Sequence, residues 1–306
     1  MMFNNSAKCF LLAIFLLLTA SCASNSKQEN ILVKGGSFQG DPAIANHLAN
    51  HTGVLKILSL NVAHGRKQAT NQIFLSKQQI QQNLKDIASA IVNQNADVVA
   101  LQEADGPSRW SGDFDHVEFI ANQTSYPWYF RAVNAQSWLF NYGTAVISRW
   151  PVAETLAYNF KPSPPTLNKG FLLTRIKWQP NPVADKEIDI DIVSVHLDFS
   201  RQTVREKQIA EMRELLSTRN NPVIILGDFN SEWFADKSVI KRLAERGGLQ
   251  VYKPQADNLS TYSDSDSRLD WILISSELAF VSYKVLPDKL SDHLMVVAEI
   301  QLNNNK

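Results

Sequence analysis

Cysteine is almost missing from this sequence. Cys9 and Cys22 are the two it holds, which excludes a disulfide-stapled scaffold and leaves the apolar core as the sole source of stability. An excess of either charge is missing as well. Thirty Lys and Arg balance 30 Asp and Glu, so no global basic field exists to draw in nucleic acid, and local patches are all that remain. Long apolar runs are absent apart from Cys9–Leu18, which is too short for a mature bilayer span of about 20 residues. What is present is an ordinary globular composition. With 44% apolar residues over 306 positions, one large core is affordable.

The apolar run has its own context. Lys8 precedes it, and Thr19-Ala20-Ser21 leads from it into Cys22, so the N-terminus resembles a bacterial lipoprotein signal. On that reading residues 1–21 are removed and Cys22 becomes the lipid-bearing first residue; an ordinary signal peptide cut elsewhere is the alternative. Cleavage there removes Lys8 and no acid, leaving a net charge of −1 and no thiol. Residues 22–52 are polar and Gly-containing and read as a tether; residues 53–306 read as one domain. The expectation is an exported monomer held to the bacterial cell envelope through its lipid.

Within the domain one stretch stands out. Val223-Ile224-Ile225-Leu226 reads as a strand buried on both faces, after which Gly227 is expected to release the backbone. Asp228 and Asn230 follow, and residues two apart on an extended chain point the same way. Taken alone, G-D-x-N is equally an Asp/Asn turn.

The same theme recurs along the chain. Val54–Leu60 reads as a strand ending in Asn61-Val62-Ala63-His64-Gly65-Arg66, a polar cluster that by itself is turn chemistry. Ser76 and Gln79 fit a capping box, and Ile80, Leu84, Ile87 and Ile91 carry a helix to about Asn95. Val98–Leu101 is a second strand, expected to lie parallel to the first through a right-handed crossover, so that Asn61 and Glu103 finish at one rim. A carboxylate there is costly unless paired, hydrogen-bonded or bound to metal.

Residues 104–142 are rich in aromatics, read as core or, with His116, as loops roofing a pocket. Further strands are expected at 142–149 and 171–178. The strand 188–195 ends in His196, a helix spans about Thr203–Ser217, and the Val223 stretch follows. Asp236 is expected to cap a short helix closed by Gly247-Gly248. Asp270 opens a strand at 269–275, and Ser291-Asp292-His293 precedes the closing strand 294–302.

In order, Leu60-Asn61, Leu101-Gln102-Glu103, Val195-His196, Gly227-Asp228-Phe229-Asn230, Leu269-Asp270-Trp271 and Ser291-Asp292-His293 resemble the endonuclease/exonuclease/phosphatase superfamily. Tyr142-Gly143-Thr144-Ala145 and Thr261-Tyr262 fit it too. The resemblance covers about residues 54–302. It implies a four-layered α/β sandwich, two mixed sheets face to face with helices outside. It also implies a divalent metal, Mg2+ or Mn2+, held by Glu103 with Asn61, and by the set Asp228, Asn230 and Asp292. His196 and His293 resemble the paired histidines that flank the phosphate, with Asp292 or Asp270 orienting His293. The chemistry agrees, because Mg2+ prefers oxygen ligands and in-line displacement needs a base and an acid on opposite sides. Which imidazole serves as which, or whether Asp228 is the base, stays open.

One departure bears on substrate. Where the family's nucleases commonly carry an acid that pairs with the histidine matching His196, this chain reads Asn168-Lys169-Gly170, which resembles the sphingomyelinase-like side of the superfamily. Lys169 is either a phosphate ligand or a solvated charge. The resulting expectation is a metal-dependent phosphodiesterase or phosphatase acting outside the cytoplasm on a lipid headgroup or small phosphoester. A secreted or surface nuclease of the same chemistry is the alternative, with nucleic acid the less favoured partner. A non-catalytic binding lipoprotein is the third reading.

Overall fold

The computed structural model describes residues 33–37, 52–181 and 186–303; the signal segment, Cys22 and most of the tether lie outside the described residues. In chain order the elements are β1 (Val33–Ser37), β2 (Leu55–Asn61), α1 (Lys77–Gln94), β3 (Val98–Asp105), α2 (His116–Thr124), β4 (Trp128–Ala132), β5 (Ala135–Gln136), β6 (Asn141–Ser148), β7 (Val152–Asn159), β8 (Gly170–Trp178), β9 (Ile188–His196), α3 (Gln202–Leu216), β10 (Val223–Asp228), α4 (Val239–Gly247), β11 (Gln250–Val251), β12 (Asp270–Ile274), β13 (Leu278–Val285) and β14 (Val296–Leu302).

The strands form two mixed sheets. One has the order β1-β4-β6-β3-β2-β14-β13 with β5 on β6, and the other β11-β12-β10-β9-β8-β7. Strand alternation decides which side chain enters which layer. Leu55 and Ile57 of β2, Ile190 and Ile192 of β9, and Ile224 and Leu226 of β10 fill the space between the sheets. Their neighbours Leu58 and Leu60 turn to the outer face of the larger sheet, where Ile80, Leu84, Ile87 and Ile91 of α1 cover them. On the smaller sheet Ile225 meets Ile209 and Met212 of α3 and Val239, Ile240 and Leu243 of α4. Each such Ile or Leu, fully buried, contributes about 1.5–3 kcal/mol. The order helix, sheet, sheet, helix is the expected sandwich.

Local signals explain most boundaries. The Ser76/Gln79 capping box forms, and α1 stops at Asn95 in a left-handed conformation. The crossover holds, β2 and β3 being parallel with Asn61 opposite Gln102. One cap differs. α4 is capped by Ser238, whose Oγ accepts from Lys241 N–H, because Ser238 directly precedes the first helical residue and Asp236 lies one step too early. β7 and β13, which the pattern does not reveal, are edge strands with mostly half-buried side chains, so their apolar alternation is weak. Inside the stretch read as a tether, Val33–Ser37 pairs antiparallel with β4 as an edge strand.

Buried hydrogen bonds tie the sheets together where the site forms. Gln102 Nε2 donates to Ser194 Oγ at 3.1 Å, joining β3 to β9. Asn61 Nδ2 donates to Asp228 Oδ2 at 3.1 Å, joining β2 to β10.

Candidate active site

The site is assembled from strand ends. Across the smaller sheet Asp228 stands opposite His196 in the parallel β9 and opposite Asp270 in the antiparallel β12, so three neighbouring strands set an imidazole and two carboxylates in a row. Asn61 arrives from the larger sheet. Glu103 is turned toward them by a bulge, since the β3–β6 register shifts between Leu101 and Ala104 and Glu103 adopts φ 51°. Bulges re-aim side chains in this way.

The Val223 stretch behaves differently at its tip from the alternation argument. Gly227 lies inside the strand at φ 144°, and a Cβ there would stand 2.1 Å from Val195 O, so the glycine serves close strand packing rather than release of the chain. Asp228 and Asn230 do not share a face by period two. Asn230 is left-handed at φ 49° and its N–H donates to Asp228 Oδ1 at 2.9 Å, an Asx turn that brings both residues to the same cleft.

That cleft, about 280 Å3, is lined by Asn61, Glu103, His196, Asp228, Asn230, Asp292 and His293. Asp270 does not line it. It lies behind His293, accepting at 2.7 Å on Oδ2 from both His293 Nδ1 and Thr261 Oγ1. Asp292 instead pairs with Arg66, so of the two candidates for orienting His293 the structure selects Asp270. Asn230 Nδ2 donates to Leu197 O at 3.1 Å. Arg66, Tyr262 and Phe199 complete the mouth. His116 is no part of it, being fully buried at the start of α2 with Nε2 3.0 Å from Ser111 O.

The electrostatics separate the charged groups by role. Burial pushes Asp228 up to about 6, against the downward pull of His293. His293 is disfavoured as a cation by burial, but Asp270 and Asp228 outweigh this and raise it to about 10. Its Nε2 lies 3.8 Å from Asp228 Oδ2. His196, with Nε2 3.4 Å from the same oxygen, is held well below its usual range by burial and then by Lys169, so it is a neutral imidazole. Lys169 is buried with Nζ 3.0 Å from His196 Nε2. Glu103 is opposed by burial, yet the charges of His64 and Lys169 hold it ionised, below the usual carboxylate range.

The donor set fits a hard divalent cation. Glu103 is ionised and the nearest basic side-chain nitrogens to it are those of His64 at 3.3 Å and of Lys169 and His196 at 3.9 Å, leaving oxygen lone pairs uncommitted. Asp228, Asp270 and His293 bring ligand atoms within 4.8 Å of one another, and Asp270 Oδ1 is buried without a hydrogen-bond partner. Oxygen-rich surroundings of this kind suit Mg2+ or Mn2+. Because both nitrogens of His293 already face carboxylates, the Glu103 side of the cleft, with Asn61, suits the ion better.

Several participants are not evident from residue pattern alone. Arg66 and His64 belong to a segment that reads as a turn, and Asp105 falls in the aromatic-rich stretch read as core or loop, whereas the structure carries β3 on to Asp105; the left-handed turn and the bulge that bring them together have no side-chain period.

Over residues 58–293 the chain matches the profile of the Endonuclease/Exonuclease/phosphatase family. This protein belongs to that family. Sphingomyelinase C of Bacillus cereus is 27% identical over 303 residues, spanning 83% of this chain and 86% of the relative. The fold of this family member also superposes on the Bacteroides thetaiotaomicron mannosyl-6-phosphatase Bt3783 (TM-score 0.59, 17% identity, 80% and 99% of the two chains). It is similar as well to a family protein from Leptotrichia buccalis (TM-score 0.63, 20% identity, 81% and 100%). The chain is accordingly a hydrolase of the endonuclease/exonuclease/phosphatase family.

Proposed function

We propose that this family member is a divalent-metal-dependent phosphoester hydrolase acting on a lipid headgroup or other small phosphoester. The observation that carries the reading is the buried row Asp270–His293–Asp228–His196 beneath a cleft that also presents Glu103. A bound Mg2+ held by Glu103 and Asn61, with Asp228, Asn230 and Asp292 around it, would neutralise phosphate charge and acidify a water.

The chain's own residues supply the proton transfers. Asp228, ionised at neutral pH with an affinity for protons near 6, takes the proton of the attacking water as its oxygen bonds to phosphorus. His293, cationic and steadied by Asp270 at 2.7 Å, gives its Nε2 proton to the departing ester oxygen as the P–O bond breaks. Neutral His196, Lys169 and Arg66 supply donors and positive charge for the phosphate oxygens.

Two features favour an amphiphilic substrate over a polynucleotide. Lys169, a cation, contacts His196 where the family's nucleases commonly carry an acid. Four exposed apolar side chains, Ile73, Phe74, Phe199 and Phe234, lie in the segments that follow β2, β9 and β10, whose ends build the site. The likeness to sphingomyelinase C points the same way. Export and lipid attachment at Cys22 belong to the same reading, and labelled palmitate incorporated by the wild type and lost in Cys22→Ser is the check.

The deciding experiment is a metal-supplemented screen of sphingomyelin, phosphatidyl lipids, inositol phosphates, nucleotides, RNA and DNA. Turnover of lipid or small phosphoesters supports the proposal. Turnover confined to DNA or RNA makes the protein a nuclease, and no turnover of any phosphoester rejects the reading.

A further inference from the structure

Directly after β2 the backbone does something costly. Ala63, His64 and Gly65 follow one another in the left-handed region at φ 45°, 56° and 71°, a conformation that costs non-glycine residues about 1–2 kcal/mol each. Such strain persists where the surroundings over-determine it, and it concentrates at functional sites. The surroundings do so here. Asn61 Oδ1 accepts from Ala63 N–H at 3.0 Å and Asn83 Nδ2 donates to Gly65 O at 2.9 Å. Gly65 is pressed onto α1 so closely that a Cβ would stand 3.0 Å from Ile80 Cγ2.

The result of this turn is the placement of one imidazole. His64 Nδ1 lies 2.7 Å from Asp105 Oδ1, and Nε2 lies 3.3 Å from Glu103 Oε2. Both carboxylates come from β3, and the bulge before Ala104 lets them flank the ring. Trp110 stacks on the imidazole at 5.5 Å and Tyr142 meets it edge-on at 4.8 Å, so its orientation is fixed on all sides. Nδ1 is taken up by the Asp105 carboxylate, which leaves Nε2 facing Glu103 Oε2. Among the described residues this is the shortest side-chain ion contact of Glu103, Lys169 and His196 lying 3.9 Å from its other oxygen.

We infer that His64, anchored by Asp105, is a positioning residue that fixes the Glu103 carboxylate so that its remaining oxygen faces the cleft and receives a divalent cation. The inference rests on the reading of Glu103 as a metal-holding carboxylate. Outer partners of this kind orient the ligand, and their loss typically weakens metal binding by about 10- to 100-fold. A histidine that merely filled space between Trp110 and Tyr142 would leave metal affinity unchanged once the protein was folded.

The test is calorimetric titration of Mg2+ into chelator-stripped protein, comparing wild type with His64→Leu, His64→Gln, Asp105→Ala and Glu103→Gln. Circular dichroism and thermal unfolding in chelator establish that each variant is folded. His64→Leu, which keeps bulk without a donor, is expected to raise the Mg2+ Kd about 10- to 100-fold. His64→Gln, which keeps a donor, recovers part of the loss, and Asp105→Ala falls between the two. If His64→Leu does not fold, the Gln and Asp105→Ala variants carry the comparison. Wild-type Kd in folded His64→Leu or Asp105→Ala, alongside weakened binding in Glu103→Gln, overturns the positioning role while leaving Glu103 as a metal ligand. Wild-type Kd in Glu103→Gln overturns the reading of Glu103, and the positioning role with it.

Discussion

Lys169 Nζ and His196 Nε2 stand 3.0 Å apart, an ammonium buried against an imidazole. Burial lowers the proton affinity of both groups, and the lysine charge lowers that of the histidine further. Glu103 and Asp228 nearby work against the lowering at Lys169. Lys169→Met is therefore expected to lower kcat/KM for a simple phosphodiester by about 100-fold, the usual effect of removing one donor to a developing oxyanion. Steady-state kinetics on bis(p-nitrophenyl) phosphate provide the check, and an unchanged kcat/KM would make Lys169 a structural charge.

Asp270 and Asp292 lie on opposite sides of His293 in function. Asp270 holds Nδ1, whereas Asp292 pairs with Arg66. Asp270→Asn is expected to reduce kcat by about 100- to 10,000-fold, the range associated with general acid–base catalysis. Asp292→Asn should instead act on the KM and on the metal requirement. Kinetic constants measured at several Mg2+ concentrations distinguish the two, and matching profiles would mean that the division of labour is wrong.

The fold was largely legible because strand and helix periods report directly on burial. Ile80, Leu84, Ile87 and Ile91 marked α1, and the four apolar residues before Gly227 marked a strand covered on both faces. The site was legible as a set of strand ends, since Asn61, Glu103, His196, Asp228, Asn230, Asp292 and His293 all reach one cleft. What stayed hidden depends on backbone geometry that has no period. The bulge that turns Glu103, the left-handed turn that inserts His64, and the choice of Asp270 over Asp292 as partner of His293 are set by contacts between distant segments. The edge strand β7 escaped for a simpler reason, its side chains being half-buried and mixed in polarity.

Gly227 gives a stability prediction. A methyl group there would stand 2.1 Å from Val195 O, on a backbone at φ 144°. Gly227→Ala is expected to cost about 1–3 kcal/mol from the conformation alone, with further loss as β9 and β10 are pushed apart. Urea unfolding of the variant measures this, and a midpoint equal to that of the wild type would contradict the packing described.

Arg219 links two acids at the far end of the smaller sheet. Its guanidinium donates to Asp191 at 2.6 and 2.9 Å and to Glu154 at 3.0 and 3.1 Å. The hydrogen bonds from Arg219 hold Glu154 below its ordinary range, against burial. A carboxyl depressed in the folded state stabilises above its unfolded value, and that stabilisation is lost as pH falls through the depressed one. Arg219→Met, which also strips the buried Asp191 of its main donor, should cost about 1–3 kcal/mol near neutrality. The difference from wild type should shrink in strong acid. Unfolding measured across that window checks the sign; a difference that grew on acidification would refute it.

On the proposed function, the strand ends form one metal-dependent hydrolytic site. The most direct measurement is phosphodiester hydrolysis by wild-type protein and Asp228→Asn in parallel, each stripped with chelator and then titrated with Mg2+ or Mn2+. Wild-type activity is expected to disappear in chelator and return with metal, and the folded variant is expected to show none under any condition. Full activity in chelator, or wild-type rates in Asp228→Asn, would contradict it.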